Sequence, residues 1–345
     1  MTTISFKDRG AQKKILAIVL AGGVGARLRP LTAEQAKPAM PFGGSFRLVD
    51  FVLSNLVNSG IDSIYVLVQY KPESLIGHVG AKWCFAAGDR ERFVRVVLPQ
   101  REFGGSFRGT ADAVYQNLAL IERHQPDLVA VFAADQVYRM DVGQMVQFHR
   151  ECDADITVAA TQVPIGLAPA FGIIETDCRG GIVDFQEKPE APAAVSYNPS
   201  RACASMGNYL FDAGVLVEEL ERAERFGETD FGAHLLPRLI HNYRVHAYDF
   251  SGNTVPGVRP YEEPAYWRDI GTLEAYVNAH RDILGNAPLF NLQNPHWPLH
   301  PALPGAPVAS GERRFQQARE VRNSLAQVVG NVFPPHWDVM QTGNA

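Results

Sequence analysis

Cysteine is scarce in this chain. Four occur among 345 residues, Cys84, Cys152, Cys178 and Cys203, and no two form a C-x-x-C pair. That excludes a disulfide framework and a cysteine-based zinc site, and it fits reduced thiols of a cytosolic protein. Histidine offers no metal site either, because His78, His149, His234 and the others show no ligand spacing. Long apolar runs are missing, so nothing approaches the roughly 20 residues of a membrane span. The polar start MTTISFKDRGAQKK lacks the apolar core of a signal peptide. The expectation is a soluble, cytoplasmic protein with no membrane partner. An excess of positive charge is absent as well. The net charge is -5 and the pI about 6.1. A broad nucleic-acid face is therefore excluded, and any phosphate affinity has to be local. No internal repeat is visible.

What is present centres on Lys13 to Asp50, KKILAIVLAGGVGARLRPLTAEQAKPAMPFGGSFRLVD. The apolar run Ile15 to Leu20 is too short for a globular helix and reads as a buried parallel strand. It breaks into Gly22, Gly23 and Gly25, whose missing Cβ atoms let backbone N–H groups approach phosphate oxygens. Arg27, Arg29 and Lys37 follow closely, and a glycine nest with nearby cations suits a polyphosphate. A glycine turn packed on a neighbour is the competing reading. Walker A is excluded, because Gly25 is followed by Ala26 and Arg27 instead of Lys-Ser/Thr. The dinucleotide fingerprint is excluded too, because Leu28 stands where it needs its third glycine.

Beyond the loop, Ser45 to Gly60 reads as an amphipathic helix, with Val49, Val52 or Leu53, and Leu56 at helical spacing and Gly60 able to end it. Strands are expected at Ser63 to Tyr70, Phe93 to Leu98, Leu128 to Ala134 and Ile156 to Val163. Helices are expected at Glu73 to Trp83, Ala111 to His124 and Val142 to Cys152. This alternation predicts an α/β fold with a doubly wound, mostly parallel, Rossmann-like sheet. Phe171 to Thr176 and Ile182 to Phe185 flank a turn, like a hairpin. Helical patterns at Asp212 to Arg225 and Phe231 to His241 surround a strand-like return. Val245 to Phe250 and Tyr266 to Ile270 are strand candidates, and Leu273 to Leu284 is an amphipathic helix. The 171–284 stretch reads as an insertion over one end of the sheet, able to hold a second substrate beneath it. Residues 1–285 would be one catalytic domain. From Asn286 the chain holds eight of its 23 prolines in 60 residues, which predicts a linker over 286–345 with a short helix or strand near Phe315 to Val329.

Asp135 follows an apolar strand at the carboxyl edge where open α/β sheets bind ligands. Asp269, in YWRDIGT, also ends an extended segment. Two aspartates converging from separate strands could hold Mg²⁺, which takes few carboxylates and fills its shell with water and phosphate oxygens. By position alone a solvated loop aspartate or a helix cap fits Asp135 as well. Glu187-Lys188-Pro189 could aim a carboxylate at sugar hydroxyls and an ammonium at a phosphate. A surface Glu-Lys pair is the plainer reading. Tyr266 and Trp267 read as packing.

LAGGVGARLRPLTAEQAKPAMPFGG resembles the signature of nucleotide-sugar pyrophosphorylases. FRLVDFVLSNLVNSGI, FRGTADAVYQN, AADQVY, FGIIETD, FQEKP, ASMGNYLF and YWRDIGTLEAY follow it in order. From about Ile15 to Leu284 they resemble the glucose-1-phosphate adenylyltransferase (ADP-glucose pyrophosphorylase) family. The resemblance implies ATP and glucose 1-phosphate as substrates and Mg²⁺ on Asp135 and Asp269. It also implies a nucleotide over Gly22 and Gly23, with Arg27 and Lys37 on its phosphates. Gln69 and Gln100 would contact the base, with Gly109 beneath it. Lys188 would take the sugar phosphate, and Gly172, Glu187 and Ser205 the glucose ring. The glycine loop and aspartates would suit a UTP, dTTP or GTP user too, and a non-catalytic regulatory subunit is a further alternative. FRLVDF and YWRDIGT favour ATP.

The family's C-terminal left-handed β-helix is expected to be essentially absent, because NSLAQVVGNVF resembles only its first residues. The family's homo-tetramer and its allosteric sites come into question with it. Val24, Glu34 and Gln35 stand where regulated members are basic, and Phe107 replaces a tyrosine. A weak response to sugar-phosphate activators is expected.

Overall fold

The computed structural model describes residues 13–85, 92–100 and 103–300. Strand β1 (Ile15–Leu20) shows why its sequence is apolar at every position. Ala17 and Val19 enter one core while Leu16 and Ile18 enter another on the opposite face, as a strand covered on both sides requires. Each Ile, Leu or Val so buried contributes roughly 1.5–3 kcal/mol relative to exposure.

A short hairpin follows, β2 (Pro41–Phe42) and β3 (Phe46–Arg47), and runs directly into α1 (Leu48–Asn58). The helix expected from Ser45 therefore starts later, because Phe46 and Arg47 are committed to the ladder. Next come β4 (Ser63–Leu67), α2 (Glu73–Lys82) and β5 (Phe93–Val97). The helix expected over Ala111 to His124 is two, α3 (Thr110–Tyr115) and α4 (Leu118–His124). At the break the Asn117 side chain donates to the Ala113 carbonyl at 2.8 Å. Such side-chain bonding competes with the helix.

After β6 (Leu128–Ala133) lie β7 (Gln136–Tyr138), α5 (Val142–Glu151), β8 (Ile156–Pro164), β9 (Gly172–Thr176) and β10 (Ile182–Glu187). Then come β11 (Arg201–Asp212), α6 (Ala213–Phe226), α7 (Leu236–Leu239), β12 (Val245–Asp249), β13 (Trp267–Asp269) and α8 (Leu273–Asp282).

Strands β6, β1, β4 and β5 are parallel neighbours, with Val19 opposite both Phe132 and Val66. α1, α2 and α5 cover one face of this block, through residues such as Val52, Leu75 and Met145. α3, α4, α6 and α7 cover the other, through residues such as Val114, Ile121, Leu220 and Leu239. The doubly wound α/β expectation stands here.

The second half of the sheet corrects the reading in one respect. β8 does not continue the parallel block. It pairs antiparallel with β11, and β11 pairs antiparallel with β6. At 12 residues β11 is the longest strand described, yet no clear strand signal is legible there. Arg201, Ser205, Gly207 and Asn208 interrupt its apolar pattern. β9 and β10 then extend the same sheet instead of forming a separate cover.

Strand β13 lies outside the main sheet. It pairs antiparallel with β7 in a two-stranded ribbon, Trp267 opposite Tyr138 and Asp269 opposite Gln136. A third core under this ribbon collects Leu28, Phe42, Phe51, Tyr266, Tyr276 and Phe290. The segment read as a linker from Asn286 packs into this body through His300, burying Phe290, Leu292, Trp297 and Leu299. The feature expected near Phe315 to Val329, and the question of the β-helix, lie outside the described residues. None of the described helices is long and apolar enough to cross a membrane.

Candidate active site

The carboxyl ends of β1, β4 and β6 meet side by side. The Ala21 amide donates to Leu67 O at 2.8 Å and the Ala134 amide to Leu20 O at 3.2 Å. The glycine turn leaves β1 at this edge. Gly25 adopts φ 63°, and a Cβ there would lie 2.8 Å from a Thr32 methyl and 3.3 Å from the Lys37 Cβ. Only glycine lets the turn fold back so closely. The Thr32 hydroxyl closes it with a 2.8 Å bond to Gly25 O. Two short 3₁₀ turns then place the cations, Ala26–Leu28 holding Arg27 and Lys37–Ala39 holding Lys37. Leu28 is buried and anchors the first.

Lys37 reaches Asp135, Nζ to Oδ2 at 2.6 Å. Asp135 stands just past β6 and before the ribbon, and its carbonyl accepts the Ile270 amide at 3.1 Å. That bond and the β7–β13 ladder bring Asp269 alongside. Burial pushes the Asp269 carboxyl up to about 6, and the neighbouring Asp135 charge adds to the effect, while Lys37, Arg27 and Lys188 oppose it. Five ionisable groups drawn from far-apart stretches thus share one field. Lys37 and Arg27 face the two carboxylates directly, and Lys188, itself paired with Glu187, adds a third cation able to meet a phosphate.

Two further groups hold the aspartates in place, and the sequence reading did not single either out. Gln136 donates to the Met206 carbonyl and accepts from the Trp267 indole at 3.0 Å. Trp267, read as packing, also sits 5.5 Å from the Phe171 ring. Gly271 leaves room for the chemistry: a Cβ there would meet Asp269 Oδ2 at 2.6 Å and Arg27 Nη2 at 3.4 Å. The signal for Gly271 was its place in YWRDIGT, and for Gln136 its place in AADQVY.

On the second side, Gln69 follows β4 and ties two loops together. Its carbonyl accepts the Phe107 amide at 2.7 Å, and its amide lies 3.5 Å from Gly22 O. Gly23 has open space around it. Gln100 donates to Gln116 O at 2.9 Å, and Gln116 donates to Ser106 O and to Asp112. A Cβ on Gly109 would stand 2.3 Å from Thr229 O, which accepts the Ala111 and Asp112 amides. Close backbone packing therefore already accounts for Gly109.

The third side is built within strands. Gly172 opens β9 opposite Glu187, the last residue of β10. A Cβ at Gly172 would strike the Phe185 ring at 2.5 Å and the Glu187 carboxylate at 3.0 Å, and one at Gly232 would approach that carboxylate at 2.4 Å. Glu187 is thus laid along two bare stretches of backbone. Lys188 pairs with it and adopts φ 48°. Ser205 is buried at an irregularity in β11, where its hydroxyl accepts the Gly207 amide at 3.1 Å. Burial raises the pKa of the Tyr209 hydroxyl, which hydrogen-bonds Ser205 on the same strand and feels the nearby charges of Glu187 and Asp230.

The residues read from the sequence therefore gather in three groups around the ends of β1, β4, β6, β10 and β11. The glycine turn touches the first through Lys37 and the second through Gly22. Lys188 joins the third to the first through the field at Asp269.

The two carboxylates Asp135 and Asp269, brought together beside bare backbone at Gly271, fit Mg²⁺, which needs only one or two protein oxygens beside phosphate. Among the described residues no group of three or more His, Cys, Asp or Glu could form a closed cage. A metal carried in with a phosphate ligand is the kind that suits this donor set.

Residues 16–286 match the family model described as nucleotidyl transferase. The glucose-1-phosphate adenylyltransferase of Thermodesulfovibrio yellowstonii is 53% identical over 298 residues, covering 86% of this chain and 72% of that protein. The Thermus thermophilus protein of the same name is 47% identical over 315 residues, 87% of this chain and 75% of its own length. Glucose-1-phosphate adenylyltransferase 1 of Vibrio cholerae is 44% identical over 299 residues, 86% of this chain and 73% of its own.

Proposed function

The chain belongs to the nucleotidyl transferase family and, within it, to the glucose-1-phosphate adenylyltransferases, and from that premise we propose that it transfers the adenylyl group of ATP to α-D-glucose 1-phosphate. The products are ADP-glucose, a donor for α-glucan synthesis, and pyrophosphate. The observation that carries this reading is the cluster of Lys37, Asp135 and Asp269 beside the glycine turn.

In this reading the triphosphate lies over Gly22 and Gly23, with Gln69 and Gln100 facing the base and Gly109 below it. Lys188 holds the sugar phosphate, while Gly172, Glu187 and Ser205 position the glucose ring. A sugar-phosphate oxygen then attacks the α-phosphorus in line, and pyrophosphate departs from the opposite side. That oxygen is ionised at neutral pH, so no general base is required. The protein's contribution is positioning and charge neutralisation. Arg27 and Lys37 stabilise the departing pyrophosphate. Asp135 and Asp269 are the residues that would hold Mg²⁺, which when bound supplies Lewis-acid neutralisation of phosphate charge. A cytoplasmic location suits a chain that uses ATP.

The test is pyrophosphate release from each nucleoside triphosphate with glucose 1-phosphate, with and without Mg²⁺. Release with ATP well above UTP, dTTP and GTP, and only with the metal, is expected. Preference for another nucleotide would overturn the adenylyl assignment, and no release with any would overturn the reaction.

A further inference from the structure

The β7–β13 ribbon has two ends, and the carboxylates hang from one of them. Asp135 precedes β7 and Asp269 closes β13 opposite Gln136; at the other end Tyr138 stands opposite Trp267, with Arg139 next along the chain. Two strands of three residues are not stable alone in water. Something has to fix this ribbon: Gln136 and the Asp135–Ile270 bond do so at the end that carries the chemistry, and a second set of contacts holds the far end.

Arg139 is buried there. Its Nη1 lies 3.0 Å from Glu262 Oε2, its Nη2 donates to Asn291 O, and its guanidinium sits 4.5 Å from the centre of the Phe290 ring. Glu262 is equally enclosed, and it accepts the Asn291 amide at 2.9 Å and the Arg259 amide at 2.8 Å. On its other side Phe290 stacks on Tyr266 at 4.7 Å. Tyr266 immediately precedes β13, and its hydroxyl joins Asp282, as does Arg268 of β13 itself, both at 2.9 Å. Phe290 is therefore gripped between the end of one ribbon strand and the start of the other. Asn55 of α1 adds a fixed reference, donating to Tyr138 O at 3.2 Å and accepting the Met140 amide at 3.0 Å.

A buried ion pair is a poor device for stability alone, because desolvation offsets most of the attraction and apolar packing serves as well. Arginine's planar fork, however, fixes direction as well as distance. None of these ionised groups touches the substrate groups named above, so the catalytic reading leaves them without a task.

We propose that Arg139, held by Glu262 and the Phe290-Asn291 segment, is a positioning residue that sets where Asp135 and Asp269 stand. It acts through the ribbon, over roughly 13 Å from Arg139 to Asp135 at strand spacing. The inference rests on the reading of those aspartates as the metal pair.

The experiment compares the wild type with Arg139→Met/Glu262→Met, Arg139→Lys and Phe290→Leu. Mn²⁺ affinity with ATP present is read from the electron paramagnetic resonance of the free ion, beside Tm, kcat and KM. In the double variant Tm should stay within a few degrees of wild type. Mn²⁺ affinity should fall about 10-fold and kcat about 10- to 100-fold, while KM for glucose 1-phosphate changes little. Arg139→Lys should recover part of both losses, and Phe290→Leu should show smaller losses of the same kind.

A folded double variant with unchanged Mn²⁺ affinity and kcat would overturn the proposal. So would loss of the fold in both the double variant and Phe290→Leu, because the clamp would then be a stability element. If the wild type binds Mn²⁺ but releases no pyrophosphate, the functional reading fails while the Mn²⁺ titration still judges the clamp. A wild type that binds no Mn²⁺ would sink the clamp's role directly.

Discussion

The two halves of the sheet carry their ligand groups in different ways. In the parallel half they hang on loops beyond strand ends: Gly22 to Arg27 after β1, Gln69 after β4, Gln100 after β5, Asp135 after β6. In the antiparallel half they are built into the ladder, with Gly172 at the first position of β9, Glu187 at the last of β10 and Ser205 within β11. A loop-borne group can be altered with little cost to the fold. A ladder-borne group serves packing and ligand at once.

The sharpest attempt to break this contrast is Asp135→Asn. The substitution keeps the shape and removes a charge from a loop, so kcat should fall about 10²- to 10⁴-fold while Tm stays near wild type. Pyrophosphate release and a melting curve decide it, and near-normal turnover would remove Asp135 from the mechanism.

Acid stability should come from neither half. His280, on α8 in the third core, accepts the Gly43 amide and faces the Tyr276 carbonyl, and burial holds its pKa down at about 4 from 6.5. The unfolded chain takes up a proton that the folded one refuses. Its contribution is complete above pH 6.5 and is lost as pH falls toward 4, about 3 kcal/mol in all. Denaturant melts across that window should show a shallower slope in His280→Gln than in wild type. The remainder comes from His124, His149 and His300, whose pKa values burial also lowers.

Next in size is a pair of glycines. Gly172→Ala drives a Cβ into Phe185 and Glu187 and should cost about 1–3 kcal/mol together with a raised KM for glucose 1-phosphate. Gly23→Ala meets nothing in the protein, so Tm should hold while KM for ATP rises. Equal loss of stability in the two would erase the distinction between the halves. The smallest effect should be that of Lys188→Gln, whose side chain is 60% exposed. A rise of about 10-fold in KM for glucose 1-phosphate is expected, with kcat less changed, in steady-state assays.

Legibility in the sequence followed the same division. β1, β4 and β6 announce themselves because both faces are covered and, Ser63 and Tyr65 of β4 apart, every residue is apolar, and the glycines and cations after β1 have few other uses. The order of the antiparallel half was not readable. β11 mixes Arg201, Ser205 and Asn208 among apolar residues, and its partners β6, β8 and β9 are chosen by long-range pairing that leaves no local period. Asp269 could be named, but no spacing shows it meeting Asp135, since that depends on a ladder closed across the fold. Residues 286–300 looked like a linker because prolines dominate; their burial depends on an aromatic core assembled elsewhere. Gln136 stands in AADQVY and Arg139 just after it, but only their neighbours in space reveal a task for them.

The ribbon has one more implication. Gln136 and Trp267 join hands across 131 positions of sequence, so a ribosome must carry the chain past Asp269 before the two acids can meet. A nascent or prematurely ended product would carry the nucleotide loop without the means to spend ATP.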